Sequence, residues 1–326
     1  LQTIATPKRV VIEYGSPNTN KPLHLGHVRN CILGRAVANM YKAVGYDVRA
    51  VQIINDRGIH ICQSMVAWML YGNQETPEDA ALKGDHLVGK YYVRYSEVFK
   101  EEVQSLVEKG VDSDAAKVQA PIYVKAKELL VKWEANDPEV RALWKQLNAW
   151  VYDGFSVTYK RLGVDFDKNY YESDTYLQGK SLVEDGLTKG CFYKKEDGSI
   201  WVNVEDEGLD HKLLLRADGT SVYITQDIAT ALLRYEDYQF DKMVYTVANE
   251  QVYHFDVLFA LLKKMGYAWA EHMHHLSYGM VMLPSGRMKS REGTVVDADD
   301  LLDTMVLKAT DIGQSLGKAD TMSKLE

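Results

Sequence analysis

The chain has 326 residues, 46% of them hydrophobic and 26% charged, with a formal net charge of −8. That length holds one large α/β domain with insertions, or two domains, and the balance excludes a disordered or low-complexity chain. The acidic excess argues against a module whose main task is nucleic-acid binding, though an enzyme can still meet RNA through a local basic patch.

No apolar run reaches the roughly 20 residues needed to cross a bilayer, and Leu1-Gln2-Thr3-Ile4 lacks the basic start and apolar core of a signal peptide. The three cysteines, Cys31, Cys62 and Cys191, are scattered and form no CxxC pair. A zinc knuckle is therefore not expected, and buried thiols in a reducing cytoplasm are.

In chain order, Val10-Val11-Ile12-Glu13-Tyr14 reads as a buried strand. A Pro/Asn-rich turn, Ser16 to His27, leads into a helix over Val28 to Val44 that Gly45 stops. Asp47 to Asp56 reads as a second strand and Ile59 to Leu70 as a helix. Strand, helix and strand around such a turn make the first half of a doubly wound parallel sheet, here residues 1–72. Residues 73–163 have few strand signals and helical spacing, with Pro77, Pro121 and Pro138 near helix starts. They read as a helical insertion.

The second half of the fold spans 164–303. It contains a small β-rich insertion at about 191–225, where Asp197-Gly198 and Asp218-Gly219 read as hairpin turns. The second turn would join Leu213-Leu214-Leu215 to a strand Val222-Tyr223-Ile224. Ile228 to Tyr235 then reads as helix, Met243 to Val247 as strand, Val252 to Met265 as helix and Leu276 to Leu283 as strand. Residues 304–326 form a tail.

Two stretches carry chemistry. At the first, His24 and His27 lie three apart on one face of a helix start. The free N–H groups and positive dipole end there suit phosphate, and Gly26 lets a flat ring approach the backbone. The second is Leu283-Pro284-Ser285-Gly286-Arg287-Met288-Lys289-Ser290-Arg291-Glu292-Gly293, a glycine-flanked basic loop suited to charge developing on a triphosphate. Glu13, a carboxylate within an apolar run, needs a partner. By base rate alone Asp227 reads as a helix cap and Tyr223 as a packed strand aromatic. His272, His274 and His275 lack a tidy ligand set, so no metal site is expected there.

His24-Leu25-Gly26-His27 resembles the HIGH signature of class I aminoacyl-tRNA synthetases. The longer string from Glu13 through Pro17-Asn18 and Lys21-Pro22 to His27-Val28-Arg29-Asn30 resembles the arginyl-tRNA synthetases in particular. The basic loop resembles their variant of the KMSKS loop. The resemblance implies a Rossmann-like α/β catalytic domain that uses ATP with Mg2+ to activate L-arginine and transfers it to tRNA(Arg). It also implies a cytoplasmic monomer with no membrane contact.

By residue, the resemblance implies that His24 and His27 stabilise the phosphates in the transition state. Lys21, Lys289 and Arg291 would help from other sides. Gly26, His254, Met280, Val281, Arg287, Met288 and Ser290 would contact ATP. Glu13, Tyr223 and Asp227 would meet the guanidinium of arginine, and Asn18 and Gln251 its α-amino group. Aligned on Met288, Arg287 takes the place of the first KMSKS lysine and Ser290 that of the second. The family is thought to compensate with the lysine before the histidine signature, here Lys21. Lys289 is displaced by one position, so the choice among Lys21, Lys289 and Arg291 stays open.

The family's N-terminal domain and its helical anticodon-binding domain have no room in these residues. A truncated chain, poorly active alone, is therefore expected. The alternatives are another class I synthetase, for glutamate or cysteine, or a non-catalytic module on the same fold. The carboxylates Glu13 and Asp227, the lack of a Cys/His zinc set and the presence of both signatures argue against them.

Overall fold

A computed structural model describes residues 7–220, 222–283 and 295–316. Its helices and strands follow in chain order as β1 (Arg9–Glu13), α1 (Leu25–Ala43), β2 (Asp47–Ile54), α2 (Ile59–Tyr71), α3 (Pro77–Ala80), α4 (Gly84–Glu108), α5 (Ser113–Gln119), α6 (Pro121–Glu134), α7 (Pro138–Leu162), β3 (Lys168–Tyr171), α8 (Glu172–Thr175), α9 (Gln178–Thr188), β4 (Tyr193–Lys194), β5 (Ile200–Val202), β6 (Lys212–Leu215), α10 (Tyr223–Tyr238), β7 (Lys242–Ala248), α11 (Val252–Lys264), β8 (Met273–Tyr278) and α12 (Ala298–Ser315). They divide into two compact units, one of Leu1–Asn18, Asn30–Arg57 and Val164–Met280, the other of Thr19–Arg29, Gly58–Gly163 and Val281–Glu326.

The first unit is built on a parallel sheet of order β3-β2-β1-β7-β8. Val10, Val11 and Ile12 of β1 are wholly buried, as expected of a central strand covered on both faces. The connections run to one side of β1 through β2 and β3, and to the other through β7 and β8. The space beyond the carboxyl ends of β1 and β7 is therefore a topological switch point, where open α/β sheets bind ligands. Val11, Val51, Ile228, Met243, Leu258 and Leu261 belong to one core, which also takes in Val202 and Leu214 of the small antiparallel sheet β4-β5-β6.

The second unit is mainly helical. Pro77, Pro121 and Pro138 each stand in the first turn of a helix, where the missing N–H costs nothing. Thr76 forms a capping box with Asp79, and Asp112 and Asp137 cap α5 and α7. Helices α4 and α7 approach closely at two glycines. A Cβ on Gly84 would lie 2.1 Å from the Trp150 carbonyl oxygen, and one on Gly154 would lie 2.3 Å from Asp85 Oδ1.

Residues 304–315, read from sequence as tail, are helical in α12, and two strand assignments also differ from the sequence reading. The turn at Asp218-Gly219 closes as expected, with Arg216 N–H donating to the Thr220 carbonyl at 2.9 Å. The returning arm makes one ladder bond, Val222 N–H to the Leu214 carbonyl at 3.3 Å, and then turns into α10. Tyr223 and Ile224 are thus helical, because Val222 is the extended cap of that helix rather than the start of a strand. The last strand is β8, Met273–Tyr278, and not Leu276 to Leu283. Its partner β7 ends at Ala248, which pairs with Tyr278, the last pair of that ladder among the described residues.

Candidate active site

In the second unit, the histidine signature opens α1. His24 Nδ1 accepts the Gly26 backbone N–H at 3.1 Å, and His27 Nδ1 accepts the His24 backbone N–H at 3.1 Å. The rings lie 4.0 Å apart between centroids. An Nδ1 that accepts an N–H carries no proton, so each neutral ring holds its proton on Nε2, away from the backbone. Burial and the nearby Lys21 ammonium lower the His24 pKa to about 4, and burial and His24 put that of His27 well below the usual value. At neutral pH the pair is two uncharged Nε2–H donors. The preceding chain is pinned from outside the helix: Leu25 N–H donates to the Val296 carbonyl at 2.9 Å and Ala298 N–H to the Leu23 carbonyl at 3.0 Å.

In the first unit, the turn after β1 is left-handed at Gly15 (φ 85°) and Ser16 (φ 49°). Ser16 is held there by its hydroxyl, which donates to Glu13 Oε1 at 3.0 Å and accepts Ile53 N–H at 3.2 Å. Asn30 on α1 fastens the same turn to the sheet. Its Oδ1 accepts Gly15 N–H at 2.6 Å, and its Nδ2 donates to the Thr246 carbonyl at 2.6 Å and to Tyr278 Oη at 3.0 Å. Asn30 thereby links the ends of β1, β7 and β8. Its sequence signal is a polar residue inside an apolar-periodic helix, at the end of the string that carries the resemblance.

Glu13 has found its partner within the fold. Its other carboxylate oxygen pairs with Arg234 of α10, and both side chains are almost fully buried. The expectation that Glu13 meets a ligand guanidinium is corrected to this extent: the guanidinium it holds is internal.

The carboxylates left facing the switch point are others. Asp227, in the second turn of α10, accepts or shares a proton with His254 Nε2 at 2.7 Å. Glu172, just after β3, has its pKa raised to about 7 by burial and by the charges of Asp56 and Asp227, against the opposing Arg57 guanidinium and a hydrogen bond from Gln226. Asp56 is fixed by Ser173, whose N–H and hydroxyl donate to its two oxygens at 2.9 and 2.7 Å. Asp56, Glu172, Asp227 and the Arg57 guanidinium thus lie close enough to act on one another's charge. Glu172 was not singled out from sequence. Its only signal was an acidic residue at the carboxyl end of a strand.

The remaining candidates are spread out. Tyr223 stands one turn before Asp227 and is 79% exposed. Gln251 is exposed in a short turn before α11. Asn18 forms an isolated parallel bridge with Asn55. Met280 and Val281 follow β8 outside any strand. His275 Nε2 bonds to the Val247 carbonyl at 2.9 Å. The described residues contain one His/Asp group with metal-like spacing, His86, Asp297 and Asp299. It does not fit a resident Mg2+. Lys83 already pairs with Asp299, and the carboxylates of Asp297 and Asp299, 3.2 and 3.5 Å from His86 Nε2, raise the His86 pKa to about 10.

Against known proteins, the description "tRNA synthetases class I (R), catalytic domain" matches residues 2–323. The chain belongs to this class I (R) tRNA synthetase catalytic-domain family. An arginine–tRNA ligase of Bacteroides thetaiotaomicron is 60% identical over 98% of the chain, and one of Porphyromonas gingivalis is 54% identical over 97%. The chain spans about half the length of these relatives, 54% and 53%. The solved arginyl-tRNA synthetase of Thermus thermophilus superposes over 96% of the chain and 54% of its own length with a TM-score of 0.76 at 22% identity, which supports the fold. In this synthetase domain the basic-loop candidates Arg287, Met288, Lys289, Ser290 and Arg291 lie outside the described residues. No described helix is long and apolar enough to cross a membrane.

Proposed function

We propose that the chain catalyses arginine activation in an arginine–tRNA ligase, forming arginyl-adenylate from L-arginine and ATP for transfer to tRNA(Arg). The observation that carries this reading is the carboxyl group Asp56, Glu172 and Asp227 at the switch point. A bound guanidinium would add positive charge beside these carboxyls and offer donors in a planar fork. Asp227 and Tyr223 take the guanidinium as expected from sequence, and Glu172 joins them. Asn18 and Gln251 take the α-amino group. Glu13 acts one step behind, by holding Arg234 and the Ser16 turn.

One carboxylate oxygen of arginine attacks the α-phosphorus of ATP, and the bond to the β,γ-pyrophosphate breaks on the opposite side. A ribose hydroxyl at the tRNA 3′ end then attacks the arginyl carbonyl, and AMP departs. The protein's part is positioning and charge stabilisation. His24 and His27 donate Nε2–H bonds to phosphate oxygens, where neutral donors avoid the cost of burying cations. Lys21 adds positive charge near them, and Gly26 lets the nucleotide approach the backbone. Mg2+ arrives with ATP. The protein works as a monomer in the cytoplasm, in keeping with its free cysteines.

Arginine-dependent exchange of pyrophosphate into ATP, measured with and without tRNA(Arg), tests this. Exchange with arginine and not with lysine or glutamate is expected. Exchange driven by another amino acid, or by lysine as well as arginine, overturns the assignment.

A further inference from the structure

Within the second unit, the segment Asp297–Asp299 is held by more charge than a helix cap needs. Asp297 caps α12 through Oδ1, which accepts Asp299 N–H at 2.8 Å and Asp300 N–H at 3.2 Å. Its Oδ2 lies 3.2 Å from His86 Nε2. Asp299 pairs with Lys83, accepts Thr158 Oγ1 at 3.2 Å and Arg161 Nη1 at 3.0 Å, and lies 3.5 Å from His86. Lys83 Nζ also reaches Thr158 Oγ1 at 2.6 Å and the wholly buried Asp85 at 3.2 Å. These partners come from the start of α4 and the end of α7, the two helices that meet at Gly84 and Gly154.

The segment so held is the one that His24 pairs with. Asp297 and His24 form an antiparallel bridge, flanked by the Leu23–Ala298 and Leu25–Val296 backbone bonds. A surface cap would be satisfied by water. Here a largely buried lysine, a protonated histidine and an arginine converge on it, and none of them has a part in the chemistry described above.

We propose that Lys83 and His86 are positioning residues for the histidine signature: through Asp299 and Asp297 they fix the 296–298 backbone, and through its pairing with residues 23–25 they fix where the His24 ring stands. The proposal rests on the reading of His24 as a phosphate donor. It requires coupling through packed, discrete contacts, since a displacement of about 1 Å at a reacting group can cost about a hundredfold in rate.

The test compares K83M, K83R and D299N with the parent protein. K83M is expected to lower kcat of arginine-dependent pyrophosphate exchange by about tenfold or more with KM for arginine within about twofold. K83R, which keeps the charge, should recover most of it. D299N, an isostere, covers the case in which K83M fails to fold. A second readout needs no activity: the His24 ring resonances, in protein labelled with 13C-histidine, should shift in K83M and D299N while those of His254 stay in place. Unchanged kcat in a folded variant, or an unmoved His24, overturns the proposal. Exchange driven by another amino acid in the parent protein overturns the functional reading instead, and the resonance shifts still decide the positioning role.

Discussion

Burial and two carboxylate neighbours disfavour the charge of Glu172 and raise its pKa to about 7. Binding a guanidinium reverses that preference. Arginine binding should therefore release protons between about pH 4.5 and 7, and its affinity should rise with pH across that window. Calorimetry in buffers of different ionisation enthalpy measures the release. Glu172→Gln should abolish it and weaken arginine binding. The same raised pKa means that Glu172 favours the folded state at low pH, an effect lost as pH rises through its folded value. The histidines make the opposite case. Burial lowers the His24 pKa to about 4 and holds that of His27 well below the usual value, so the rate between about pH 6 and 8 should show no limb from them. His27→Ala should cut kcat by about a hundredfold while arginine still binds. The pairing of His24 with His27 at one helix start was legible in sequence because their spacing is local, whereas the local reading of Asp227 as a helix cap gives way to Val222 in that place. The roles of Glu172 and Asn30 were not legible, since the groups that give them meaning arrive from β2, α10, β7 and β8.

At the level of elements, the Glu13–Arg234 pair sets α10 against β1. Arg234 lies two turns after Asp227 on the same face of the helix, so the pair also sets where Asp227 stands. Arg234→Met leaves a buried carboxylate without its cation and should destabilise by about 3–5 kcal/mol in denaturant unfolding. Adding Glu13→Gln should restore much of that loss. Gly34→Ala should also destabilise, because its Cβ would lie 2.3 Å from Tyr14 Cβ and core overpacking typically costs about 1–3 kcal/mol. Sequence located these elements well where an apolar period ran unbroken, as in β1, α2, β7 and α11. It misplaced the starts of α10 and β8, where one ladder bond or one capping residue decides between strand and helix.

For the whole chain, the alternation of strands and helices foretold the parallel sheet, and the punctuating prolines foretold the helices of 73–163. What composition could not foretell is that residues 19–29 and 295–316 join those helices in one compact unit. That grouping depends on pairing His24 with Asp297, residues 273 positions apart in a 326-residue chain, for which no local pattern exists. The central claim is that the switch-point carboxyls select arginine. Thermal stabilisation of this chain by L-arginine, with lysine, citrulline and glutamate as controls and Asp227→Asn as the site variant, tests it most directly. A ligand that binds only the folded state must raise its apparent stability. The account predicts a rise with arginine alone that disappears in Asp227→Asn. An equal rise with lysine or citrulline, or an arginine response that survives the substitution, would contradict it.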